Sequence, residues 1–155
     1  MPGVSIRIAD EADVRELARL RVLMDAEDGV EAEPEFEDAF ADWFGAHGHS
    51  FTIVVAELDD RLIGTVWLEL IERVPRPSEV DPAPVGYVTF TFVEPGHRNH
   101  GIGAAMLSFL RSTAVDRRCE TVIVWPSQRS LPLYRRAGYD PPAELLEQVL
   151  RFPPP

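Results

Sequence analysis

A single cysteine, Cys119, is all the thiol chemistry this chain carries, which excludes an internal disulfide framework and points to a reducing compartment. Basic residues are also in deficit: 15 Lys and Arg stand against 26 Asp and Glu, and the formal net charge is -11. That balance disfavours nucleic acid and an anionic membrane surface as partners, and it attracts cations weakly at long range. No apolar run approaches the roughly 20 residues of a membrane span, and the opening MPGVSIRIADEADV lacks a basic stretch followed by an apolar one. A soluble, cytoplasmic chain is expected. Neither an internal repeat nor a linker interrupts the 155 residues, 45% of them apolar, so the expectation is one domain over 1–155 with a frayed tail at 152–155.

The four histidines form two close pairs, His47 with His49 and His97 with His100, without an acidic or cysteine partner at ligand spacing. A metal site is therefore not expected.

Hydrophobic periodicity divides the chain. Val4 to Ile8 alternates as a short strand, and Asp10 is placed to cap a helix whose apolar positions are Val14, Leu17, Leu20 and Met24. After breaks at Gly29 and Pro34, a second helical segment carries Phe36, Phe40, Trp43 and Phe44 on one side. Phe51–Leu58 and Leu62–Ile71 read as strands joined by a hairpin turn at Asp59-Asp60-Arg61. The proline-rich stretch 73–86 is a loop, with Arg73, Arg76 and Glu79 available to cover an acceptor. Tyr87–Val93 is a strand of aromatic and β-branched residues ended by Pro95. A helix from Ile102 to about Arg118, a strand Thr121–Trp125, a short helix stopping at Gly138 and a strand within Glu144–Phe152 complete the order. The tryptophans 43, 67 and 125 read as core residues, Trp125 also bordering a groove. The sum is an α/β (α+β) domain with a mixed sheet.

The chemistry concentrates in VEPGHRNHGIGAAM, residues 93–106, where a strand ends in a glycine-bearing turn that opens a helix. Such a turn aims unpaired N–H groups at one point, where the helix dipole also favours negative charge, so phosphate is its natural occupant. Gly103 is followed by Ala-Ala rather than Lys-Ser/Thr, which excludes a P-loop. Met106 stands where a dinucleotide fingerprint needs its third small residue. What fits is Arg/Gln-x-x-Gly-x-Gly/Ala, filled by Arg98, Gly101 and Gly103.

That pattern resembles the coenzyme A pyrophosphate loop of the GNAT superfamily of N-acetyltransferases. YVTFTFVEPGHRNHGIGAAML resembles the family's strand, loop and helix, and WPSQRSLPLYRRAGY its later strand and Leu-Tyr-x-x-x-Gly-Phe/Tyr helix. The resemblance implies a GNAT-like, mostly antiparallel sheet splayed at its central strands, with helices on both faces. It implies acetyl-CoA as cosubstrate and the amine of a small molecule or protein as acceptor, a cationic one being suited to the acidic segment Asp25–Asp38; it permits a homodimer.

Residue by residue, the resemblance implies that the backbone of Phe92 and Val93 pairs with the pantetheine arm. Arg98, Asn99, His100, Gly101, Ile102, Gly103 and Ala104 cradle the pyrophosphate, and Ser127 contacts the pantetheine side. Tyr134 matches the tyrosine that protonates the departing thiolate. Asn99 and His100 depart from the usual Gly and basic residue, and His100 would make binding more pH-dependent. The general base is left open: Tyr87 stands where some relatives carry a glutamate, Glu69 and Glu94 are carboxylate alternatives, and a water chain is a further route. Two other readings stay open: a non-catalytic acyl-CoA-binding module, and an acyltransferase using another acyl-CoA or a hydroxyl acceptor.

Overall fold

In a computed structural model, residues 3–142 and Gln148 are described. The strand expected within Glu144–Phe152 and the tail lie outside the described residues. Chain order is β1 (Ser5–Ile8), α1 (Val14–Ala26), α2 (Phe36–His47), β2 (Phe51–Leu58), β3 (Arg61–Ile71), β4 (Val85–Val93), α3 (Ile102–Asp116), β5 (Thr121–Val124) and α4 (Leu131–Arg136).

The five strands form one sheet in sequence order. The first four pair antiparallel, and β4 pairs parallel with β5 after the α3 crossover. Asp59 and Asp60 alone form the β2–β3 turn, both with positive φ (51° and 60°), the left-handed pair that matches strand twist; Arg61 already belongs to β3. Asp10 caps the 3-10 turn Glu11–Asp13 that leads into α1, by a reciprocal capping box with Asp13, and Arg7 grips the Asp13 carboxylate from β1 at 2.7 and 2.8 Å.

Side-chain alternation sends successive residues of each strand to opposite faces, and both faces are covered. On one, Leu17 and Leu20 of α1 pack on Ile53, Val55, Trp67, Phe90 and Phe92. On the other, Ile102, Met106 and Leu110 of α3 and Tyr134 of α4 pack on Val54, Val66, Leu68 and Val88. Two of the three tryptophans are not core: Trp43 is 41% and Trp125 56% exposed, while Trp67 is buried. Trp43 sits on the outer rim of the α2 aromatic stripe, and Trp125 lies just past the end of β5 and meets Tyr87 edge-on at 6.1 Å.

Two irregularities in β4 create the site. Trp67 pairs with Phe90 but Leu68 with Val88, so Thr89 is an extra residue and the strand bends there. Pairing with β5 stops at Val88–Val124, which leaves Thr89–Val93 without a partner strand on that side. The proline-rich loop is tied elsewhere: Arg73 pairs with Glu120, and Arg118 with Asp81 at 2.9 Å. These bonds hold it at the α3–β5 corner, at the far end of β4 from the glycine loop, and none of its residues lines either of the two cavities described below.

Candidate active site

Where β4 and β5 part, the glycine loop and α4 enclose a cavity of about 510 Å³. Its floor is β4. Glu94 N–H bonds Ile63 O at 2.9 Å, and Phe92 pairs with Thr65, so by alternation Phe92 spends its backbone groups on β3. The free backbone positions facing the cavity are therefore Thr91 and Val93, not Phe92, whose ring is instead buried on the α1 face. The Val93 carbonyl is already held by Arg98 Nε at 2.8 Å.

The far wall is the N-terminus of α3. Gly101, at φ 81°, precedes it without a side-chain cap, and a Cβ there would meet nothing within 4 Å. The first helical bond runs from Ala105 N–H to Gly101 O at 2.9 Å, leaving the N–H groups of Ile102, Gly103 and Ala104 without helical acceptors. Gly103 is closely packed, since a Cβ there would come 3.3 Å from Leu133 of α4. Asn99 adopts φ 63°, a conformation that glycine prefers and asparagine tolerates best among the other residues, which explains its substitution in the motif.

Arg98, Asn99, Gly101, Ile102, Gly103 and Ala104 line this cavity together with Thr91, Phe92 and Val93. His100 is exposed and outside the lining, and Ser127 is spent on the turn into α4, where its Oγ lies 3.0 Å from Ser130 Oγ. Sequence reading missed Arg129 and Arg136, which add guanidinium groups to the wall, and Glu27, which accepts from Arg98 and Arg129 at 2.5 Å each. Burial pushes the Glu27 carboxyl up, but the hydrogen bonds and charges of the two arginines outweigh it and hold it below the ordinary carboxylate range. The only hint in the sequence was the acidic run at 25–38, and its Glu27 faces the glycine loop.

Tyr134 is 3% exposed and donates its hydroxyl to Thr91 Oγ1 at 2.8 Å. Burial raises its pKa above the ordinary tyrosine value, partly offset by the Thr91 bond, so the hydroxyl stays protonated at neutral pH. Thr91 thus connects Tyr134 to the cavity floor. Of the base candidates, Glu94 is tied into an ion-pair cluster by Arg19 at 2.5 Å and Arg61 at 3.3 Å. Glu69 is half-buried and faces Tyr87 directly across β3–β4; alternation puts it on the Trp67 side of the sheet. Among the described residues, no three His, Cys, Asp or Glu side chains gather as a metal site.

A sheet splayed at its parallel pair, with an uncapped, glycine-led helix and three arginines facing the gap, defines the N-acetyltransferase class of fold. The chain belongs to the acetyltransferase (GNAT) family, whose model matches residues 17–139. It is 28% identical over 116 residues to a mycothiol acetyltransferase of Cellulomonas flavigena, covering 73% of this chain and 31% of that protein. It is 28% identical over 79 residues to a glucosamine 6-phosphate N-acetyltransferase of Trypanosoma brucei brucei, covering 51% of each. The chain thus spans about a third and about half of the length of these two curated relatives. Among solved structures, it matches a GCN5-related N-acetyltransferase from Ralstonia eutropha with TM-score 0.74 and 26% identity, over 95% of this chain and 99% of that one. A predicted acetyltransferase with acetyl-CoA from Clostridium acetobutylicum has the same fold, with TM-score 0.76, 24% identity and coverage of 94% and 96%.

Proposed function

We propose that the protein is an acetyl-CoA-dependent N-acetyltransferase that moves an acetyl group to a primary amine by direct attack. The observation that carries this reading is the free N-terminus of α3, where the N–H groups of residues 102–104, with Arg98, Arg129 and Arg136, face the β4–β5 gap. In a chain of net charge -11, three guanidinium groups around one cavity are a built anion site, and the open space beside Gly101 fits a diphosphate.

Acetyl-CoA supplies the thioester, and the chain's own groups do the rest. Thr91 and Val93 offer backbone N–H groups along the floor, one of which can bind the carbonyl oxygen as negative charge grows on it. The amine nitrogen forms the new C–N bond, the C–S bond breaks, and the thiolate takes a proton from the Tyr134 hydroxyl. The nitrogen gives up one proton in becoming an amide, which replaces the one Tyr134 donated. Since an alkylammonium of pKa about 10 is mostly unreactive at neutral pH, a base must take its proton first. Of the side chains considered, Glu69 fits that role best, because Glu94 is bound by two arginines and Tyr87 carries no carboxylate; a water chain is the other route.

A non-catalytic acyl-CoA-binding module has no use for a proton donor, and the buried, protonated Tyr134 bonded to Thr91 supports the enzyme instead. The test is thiol release from acetyl-CoA in the presence of a panel of primary amines. All 15 Lys and Arg positions are arginine, so acetylation of the enzyme's own lysines cannot mimic turnover. Amine-dependent release supports the enzyme; saturable acetyl-CoA binding without release from any amine favours the module.

A further inference from the structure

The opposite face of the sheet holds a second cavity, about 470 Å³, in the size range of small-molecule sites. Six aromatic side chains line it: Phe36, Phe40 and Trp43 of α2, Phe51 of β2, Trp67 of β3 and Phe90 of β4. They are not an ordinary core. Helix α2 has no fully buried residue although one side of it is aromatic, so its stripe is only half covered by the sheet. Trp67 is 5% exposed, yet its Nε1–H is buried without an acceptor, an expensive arrangement unless something else supplies one.

This cavity meets the first at one strand. Thr89 and Phe90, at the bulge of β4, line it, while Thr91 to Val93 line the cavity of the glycine loop. A body held among the aromatics therefore has the splay of β4, where acyl transfer takes place, within reach of a short arm.

The lining also selects the body. Arg21 is its charged member and already lies over the Phe90 ring, 5.1 Å from the centroid, while pairing with Asp25 at 3.3 Å. A second cation on these rings would compete for the same face and meet like charge. An aminosugar, with a hydroxyl on nearly every carbon, needs many convergent polar partners, and the side chains lining this cavity are apolar or aromatic apart from Thr89 and Arg21. We propose that the acyl acceptor is a primary amine carried on an uncharged aromatic or flat apolar body, which stacks in this cavity and points its amine at the bulge of β4. This rests on the acetyl-transfer reading above and adds the acceptor class to it.

The test compares 2-phenylethylamine and tyramine with glucosamine 6-phosphate in thiol-release kinetics, alongside quenching of tryptophan fluorescence, since two of the three tryptophans line the cavity. The expected result is a kcat/KM for the arylalkylamines at least about tenfold above that for the aminosugar phosphate, the usual size of discrimination by an apolar pocket. Trp43→Ala removes an outer, partly exposed ring and should raise KM for 2-phenylethylamine about tenfold while acetyl-CoA binding is unchanged. A separate Phe36→Ala variant guards against a folding artefact and should act in the same direction. Better turnover of glucosamine 6-phosphate, or unaltered KM in both variants, overturns the acceptor class and leaves acetyl transfer standing. Quenching by 2-phenylethylamine without thiol release from any amine overturns the transfer reading and the acceptor role with it.

Discussion

Arg98 Nη2 donates to Glu27 Oε1 at 2.5 Å across 71 residues of sequence, joining the end of α1 to the loop that opens α3. The second Glu27 oxygen accepts from Arg129 Nη2, also at 2.5 Å. One carboxylate thus occupies two of the cationic groups that a diphosphate would use, in the position of an internal competitor for the coenzyme.

Glu27→Gln should therefore tighten acetyl-CoA binding by about 3- to 10-fold, the equivalent of up to about 1.4 kcal/mol. The pH dependence carries the same signature. A carboxyl with a lowered pKa contributes its ion pairs fully above the ordinary carboxylate range and loses them as pH falls through its lowered value. Folding stability of the wild type should then fall more steeply under acid than that of Glu27→Gln. Weaker coenzyme binding in the variant would mean that Glu27 positions the arginines rather than competing for them.

Ala104 lines the anion cavity in the first turn of α3 and is exposed. Ala104→Glu puts a negative charge in the proposed phosphate site and favourably near the helix N-terminus. Acetyl-CoA affinity should drop by at least about tenfold with melting temperature unchanged or slightly higher, since such a charge adds roughly 0.3–1 kcal/mol. Calorimetric titration and thermal melting on the same sample check both halves. Gly103 is a poorer probe, because a side chain there also presses on Leu133.

Tyr134→Phe keeps the ring in its buried site and deletes the hydroxyl bonded to Thr91. The expected loss in kcat is about 100-fold, typical of a general acid, with the acetyl-CoA dissociation constant nearly unchanged. An unchanged kcat would leave Tyr134 a core residue. Glu69→Gln should lower kcat/KM by about 100-fold, typical of a general base, and an unchanged kcat/KM would take Glu69 out of the mechanism.

Asp13 is buried and holds Arg7 and the Asp10 N–H at once. The Arg7 hydrogen bonds lower its pKa against the opposing effect of burial. Asp13→Ala should cost about 1–3 kcal/mol at pH 7 by urea denaturation, the upper end being screened by the exposed side of Arg7. The gap between variant and wild type should close as pH falls below the ordinary carboxylate range, because the contribution exists only while Asp13 is ionised.

Much of this architecture is legible in local pattern. The alternation of β2 and β3, the aromatic stripe of α2 and the breaks at Gly29, Pro34 and Gly138 follow from period and turn chemistry, which act over a few residues. The glycine loop is legible for the same reason, since residues 98–104 work as one contiguous turn. What local pattern does not carry is register and distant pairing. The extra residue at Thr89 depends on how β4 meets β3, and it decides which backbone groups face the gap. Glu27 and Arg129 lie 102 residues apart, so neither announces the other. Trp43 and Trp125 read as core because tryptophan usually is; their exposure depends on where the sheet ends and the cavity begins.

We infer that the α3 N-terminus and its arginines bind the diphosphate of acetyl-CoA. Calorimetric titration of the wild type and Ala104→Glu with acetyl-CoA, with ATP as comparator, tests it most directly. The expected result is saturable micromolar binding of one acetyl-CoA per chain, not reproduced by ATP and at least about tenfold weaker in Ala104→Glu. Absent binding to the wild type, or equal binding by the variant, would contradict it.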